Sequence, residues 1–115
     1  MTRTIYKICE RALWETGERC GVFPGAEVDV RAGFIHLSTA AQLRDTAAKH
    51  FAGIDDLMLI AVDADALGGA LKWEISRGGD LFPHLYGALP LTAVIWAKPL
   101  AMGADGRHVF AGLMA

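Results

Sequence analysis

The order of apolar and polar positions divides the chain into short strands and a few short helices. Thr4-Ile5-Tyr6-Lys7-Ile8-Cys9 is rich in β-branched and aromatic residues and predicts a strand. Glu10 to Glu18 carries Leu13 and Trp14 as an apolar stripe, with Gly17 near its end, and predicts a helix of about two turns. Arg19 to Gly33 reads as a long loop. It holds the turn signal Pro24-Gly25, and Glu27, Asp29 and Arg31 alternate with apolar residues. A loop of that length in a small domain is more often functional than idle. Gly33-Phe34-Ile35-His36-Leu37-Ser38 predicts a short strand that runs straight into a helix. Thr39 suits the N-cap, Gln42 completes a capping box, and the helix continues to about Phe51. Leu43, Ala47, His50 and Phe51 fall near one of its faces.

Leu57-Met58-Leu59-Ile60-Ala61-Val62 is a continuous apolar run and predicts a strand buried on both faces. Asp63 caps a single turn that ends at Gly68-Gly69. From Ala70 to Ser76 the pattern alternates. Leu71, Trp73 and Ile75 fall on one face, and Lys72, Glu74 and Ser76 on the other. Leu81 to Gly87 is expected to be irregular or extended, because Pro83 blocks a helix there. Ala93 to Leu100 predicts another strand, and His108 to Phe110 a short edge strand. Strands outnumber helices, and no β-α-β alternation with crossover-length helices occurs. The fold class is therefore α+β: one domain over residues 1–115, with a mainly antiparallel, split or curved sheet and two or three short helices.

Composition narrows the function classes. Of 115 residues, 53% are hydrophobic and 21% charged, enough for a packed core without a metal or disulfide staple. The net charge of −2 and the lack of any Lys/Arg run argue against bulk nucleic-acid binding, unless Arg3, Lys7, Arg11, Arg31, Lys72 and Arg77 gather in space. Cys9 and Cys20 form no C-x-x-C pair and read as two buried free thiols in a reducing compartment. No secretion signal and no membrane-length apolar run is visible, so the expected location is the cytoplasm, with no membrane partner.

Three segments carry polar residues that a core alone does not require. His36 shares a strand face with Phe34 and Ser38, and Ser38-Thr39 stand where backbone N–H groups at a helix start attract anions. Glu74 sits mid-strand, where a carboxylate has low propensity. It is a candidate base or ribose-hydroxyl anchor if its face lines a pocket. Leu81-Phe82-Pro83-His84-Leu85-Tyr86-Gly87 is a stiff stretch presenting His84 and Tyr86, and Phe82 and Tyr86 suit stacking on a planar ring. Each piece also has an ordinary structural explanation: a hydrogen-bonded histidine, simple caps, a solvated glutamate, a well-packed loop. His36, Glu74 and His84 are the candidate catalytic residues, and Ser38, Thr39, Phe82 and Tyr86 the candidate ligand contacts. A two-His, one-carboxylate metal site is a minor alternative without helical ligand spacing, and no metal is expected. His50 reads as a structural residue near a helix C-terminus, and His108 as a tail residue.

Taken in order, Gly33 to Thr39, Trp73-Glu74, Phe82 to Gly87 and Leu89-Pro90-Leu91 resemble the bacterial family called domain of unknown function 952. The likeness runs from Ile5-Tyr6 to about Pro99. That family looks like a compact ADP-ribosyltransferase-like fold, a split sheet with a dinucleotide in its cleft. Ile35-His36-Leu37-Ser38 is also similar to the strand motif of NAD-using RNA 2′-phosphotransferases. The resemblance implies NAD as cofactor, His36 on a ribose hydroxyl, Tyr86 stacked on nicotinamide, and Glu74 or His84 polarising the ribose or the acceptor. One departure stands out: the late strand that carries a catalytic glutamate in familiar ADP-ribosyltransferases reads Val94-Ile95-Trp96-Ala97-Lys98 here. The expected function is ADP-ribosyl transfer or glycosidic cleavage. The alternatives are a non-catalytic small-metabolite-binding module and a metal-dependent hydrolase using His36, Glu74 and His84.

Overall fold

The computed structural model describes residues 3–113, apart from the side chain of Arg77. Among them, three helices and eight strands alternate irregularly. The strands are β1 (Thr4–Glu10), β2 (Val22–Phe23), β3 (Ile35–His36), β4 (Leu57–Asp63), β5 (Leu71–Ile75), β6 (Leu81–Leu85), β7 (Leu89–Pro90) and β8 (Val94–Leu100). The helices are α1 (Arg11–Cys20), α2 (Glu27–Ala32) and α3 (Leu43–His50). One sheet has the order β1-β4-β8 and a second β3-β6-β5, while β2 and β7 form a small ribbon. Every pairing is antiparallel. The α+β class and the antiparallel, divided sheet are as expected.

The apolar run of β4 occupies the centre of the first sheet, and its alternate residues feed two cores. Met58, Ile60 and Val62 point to one side with Ile5 and Cys9 of β1, where Ile35, Leu37 and Leu85 of the second sheet also pack. Leu57, Leu59 and Ala61 point to the other, with Tyr6 and Ile8, against Leu43 and Ala47 of α3. β4 is buried on both faces, which explains why it lacks the alternation of a half-exposed strand.

The structure corrects or sharpens four local expectations. First, the predicted loop from Arg19 to Gly33 contains the end of α1, strand β2 and helix α2. Its pattern misleads because α2 turns Val28 and Val30 to solvent and buries Asp29 to 1% exposure. The Asp29 carboxylate accepts the Ala26 N–H at the helix start, which compensates for the missing apolar face. Second, Leu81–Leu85, expected to be irregular or extended, takes the extended alternative as a regular strand, the central one of its sheet. Third, Cys20 is exposed, and only Cys9 is buried. Burial pushes the Cys9 thiol up to about 12. Fourth, three of the basic residues that could have gathered have separate partners. Lys7 pairs with Asp29, Arg11 pairs with Asp56, and Arg3 lies over the Trp73 ring.

Pro83 explains where the second sheet stops. Leu37 donates to the Pro83 carbonyl at 3.1 Å, but Pro83 has no N–H to return. The β3–β6 ladder therefore ends after His36. The chain then crosses to the first sheet, where Tyr6 and Ser38 exchange both backbone hydrogen bonds at 2.8 and 2.9 Å. The two sheets share that one bridge and diverge around it. Among the described residues, no helix is long and apolar enough to cross a membrane.

Candidate functional site

A cavity of about 630 Å³ opens where the sheets diverge. That volume suits a small organic ligand. Its walls come from β1, β3 with the following Leu37 and Ser38, β6, and the C-terminal end of α3. Its polar lining includes Lys7, His36, Ser38, His50 and His84, and no Asp or Glu is among the lining residues.

His36 is held by a buried carboxylate. Its ring Nδ1 lies 2.7 Å from Asp29 Oδ1, and its backbone N–H donates to the same oxygen at 3.0 Å. Lys7 Nζ lies 2.8 Å from Oδ2 and 3.1 Å from Oδ1. Lys7 stands between Ile5 and Cys9 on the inner face of β1, so its ammonium needs a buried partner. Burial alone would raise the Asp29 carboxyl. The hydrogen bond from His36, the Lys7 charge and the Ala26 N–H outweigh it and hold this carboxyl well below the usual range. Gly25 lets the loop lie on this group. Its φ is +106°, and a Cβ there would sit 2.8 Å from the Asp29 Cβ.

His84 is held by a carboxylate at the surface. His36 and His84 are directly paired across β3 and β6. His84 Nδ1 lies 2.9 Å from Glu74 Oε1, which also accepts the Tyr86 hydroxyl at 2.8 Å. The bonds from His84 and Tyr86 lower the Glu74 carboxyl, and the same bond raises the Tyr86 phenol. Phe34 stacks on the His84 ring at 4.2 Å between centroids and tilts against His36 at 4.6 Å. The two imidazoles meet edge-on with centroids 5.6 Å apart.

With that geometry in place, relatedness can be stated. The model of a family described as a protein of unknown function, DUF952, matches residues 8–97. The chain belongs to the DUF952 family. It is similar to protein CC0527 from Caulobacter crescentus, whose X-ray structure superposes with a TM-score of 0.90 at 48% identity, covering 93% of this chain and 94% of that one. The solution NMR structure of CC0527 gives a TM-score of 0.86 at 46% identity, with 97% of each chain covered. No curated protein matches the chain.

In this DUF952 protein the sequence-predicted residues divide into two groups. His36, Ser38, Phe82 and His84 line the cavity. Glu74 and Tyr86 do not; they back His84 from the solvent side. Thr39 is also off the wall, with its N–H donated to Gln42 Oε1 at the start of the 3-10 turn that precedes α3. The metal-hydrolase alternative needs Glu74 on the cavity wall with both histidines, and Glu74 lies behind one of them. Among the described residues, no group of three or more His, Cys, Asp or Glu is spaced to hold a metal ion.

Sequence reasoning missed Asp29, Lys7 and the packing role of Phe34. Lys7 carried a signal, since it interrupts an otherwise apolar strand. Asp29 carried none, because Glu27-Val28-Asp29-Val30 reads as exposed charge between buried valines. His50, read as structural, does end α3 and also lines the cavity.

Both carboxylates accept, so each Nδ1 must carry the proton. Neutral His36 and His84 then present the bare Nε2 lone pair. Neither Nε2 has a hydrogen-bond partner among the described residues. The Asp29 and Glu74 contacts occupy both Nδ1 atoms, so Nε2 is the ring nitrogen each lining histidine has left for a ligand. A carboxylate behind an imidazole fixes its orientation.

Proposed function

We propose that the cleft binds NAD or a related phosphate-bearing nucleotide, and that its chemistry is ADP-ribosyl transfer or cleavage of a glycosidic bond. One observation carries the reading. The cavity at the split between the sheets is lined by Lys7 and three histidines and by no acidic residue. Such a wall sets no acidic side chain against a phosphate and offers it Lys7 and hydroxyl donors, and its apolar portions, Phe82 among them, accept a planar base. His36 contacts a ribose hydroxyl, and Ser38 lies beside the phosphates. His84 polarises the acceptor, positioned by Glu74 and Tyr86.

Thermal-shift titration with NAD, ADP-ribose and nicotinamide tests this. A ligand that binds only the folded state raises the melting temperature, by roughly 2.7 kcal/mol of stabilisation at a hundredfold excess over its dissociation constant. We expect a shift with NAD and ADP-ribose that is lost in His36→Ala. No shift with any nucleotide overturns the reading.

A second reading, a non-catalytic binding module, draws on a specific feature. No carboxylate faces the cavity to stabilise a developing ribosyl cation. It predicts that NAD binds and is recovered unchanged after long incubation.

A further inference from the structure

We infer that His36 and His84 form an acid–base pair for phosphodiester cleavage, acting on ribonucleotide esters whose phosphate neighbours a free hydroxyl. The inference rests on the reading of the cleft as a phosphate-bearing nucleotide site, and adds to it a reaction at phosphorus.

The two carboxylates of the site both bind imidazole, so the groups left to meet a ligand are the two Nε2 atoms. The rings line one cavity, 5.6 Å apart between centroids and steeply inclined at 64°. That spacing lets a tetrahedral phosphate sit with one imidazole near an entering oxygen and the other near a leaving one. The two rings are not equivalent. His36 is 40% exposed in its side chain and His84 7%, so one has easy exchange with water and the other is enclosed. Lys7 on the same wall adds positive charge for the phosphoryl oxygens without leaving Asp29.

The step balances without a further reactant. A neutral imidazole takes the proton of the 2′-hydroxyl through Nε2, and that oxygen forms a bond to phosphorus. The bond from phosphorus to the 5′-oxygen breaks, and the protonated second imidazole gives its proton to that oxygen. The products are a 2′,3′-cyclic phosphate and an alcohol. The two rings have exchanged protonation states, and proton exchange with water resets them.

The test uses purified full-length protein with a ribodinucleoside monophosphate such as uridylyl-adenosine, and with its 2′-deoxy analogue. The expected result is cleavage of the ribo compound to a cyclic phosphate, no cleavage of the deoxy compound, and a bell-shaped dependence of kcat/KM on pH. His36→Ala and His84→Ala should each lower the rate by about 10²–10⁴-fold, the range for loss of a general acid or base. Each variant's melting curve shows whether it is folded. His84→Gln, which keeps a polar side chain of similar reach, should stay folded and equally slow. Cleavage of the deoxy analogue, equal rates in all variants, or no cleavage by wild-type protein overturns the inference. An ADP-ribose thermal shift without cleavage removes only this inference; absence of both removes the cleft reading as well.

Discussion

The two histidines of the cleft are backed in opposite ways. Asp29, behind His36, is buried to 1% exposure and also accepts from Lys7, Ala26 and the His36 backbone. Glu74, behind His84, is 39% exposed in its side chain and shares its oxygen only with Tyr86. The buried arrangement ties a functional side chain to the fold, because the same carboxylate closes a loop, starts a helix and neutralises a core lysine. The exposed arrangement orients a ring while leaving the fold nearly independent of it. One carboxylate–imidazole motif thus serves as structure at one end of the cleft and as adjustable positioning at the other.

Removing each carboxylate should separate these roles. Asp29→Asn leaves Lys7 buried without its counter-charge, and we expect a loss of about 3–5 kcal/mol in chemical denaturation. Adding Lys7→Met should recover part of that loss, but not the bonds to Ala26 and His36. Gly25→Ala should cost about 1–3 kcal/mol by the same measurement, since its Cβ meets Asp29 at a φ unfavourable to alanine. A wild-type loss under ~0.5 kcal/mol at Asp29 would erase the contrast between the two ends.

Acid gives a second way to sharpen it. The folded state holds the Asp29 carboxyl below its ordinary value, so below that value the unfolded chain binds more protons. Stability from this group is full at neutral pH and falls as pH drops through the ordinary carboxylate range, continuing to fall until the folded carboxyl itself titrates. The slope of unfolding free energy against pH should therefore flatten in the Lys7→Met, Asp29→Asn double variant. Glu74→Gln should leave the melting curve almost unmoved. Its signature is at Tyr86, whose phenol is raised by the bond to Glu74. Phenolate absorbance should appear at lower pH in that variant.

The sequence was informative wherever side chains followed their usual partition between core and solvent. β1 and β4 were legible because their apolar runs are buried, and β8 because its β-branched and aromatic residues favour a strand. The Phe34 to Ser38 and Phe82 to Tyr86 segments stood out because they crowd polar and aromatic groups into strands, and both contribute to the cavity wall. α2 was not legible, since it exposes its valines and buries its aspartate. Its reason for existing is a network that spans Lys7, Ala26 and His36, and no local window contains all of them. β6 was left open between irregular and extended, because Pro83 excludes a helix without choosing between the two; Pro83 suits the strand because its carbonyl is the group used towards Leu37. Glu74 and Tyr86 were singled out and stand beside His84, but which side of it they occupy depends on strand register, which alternation alone leaves open.

Pro83 also bears on how a ligand arrives. The seam between the sheets is set by an atom the backbone lacks, so the groove needs no guest to pry it apart. A receptor shaped in advance avoids the entropic toll of ordering itself around its ligand, and association then resembles a key entering a cut lock more than a hand closing.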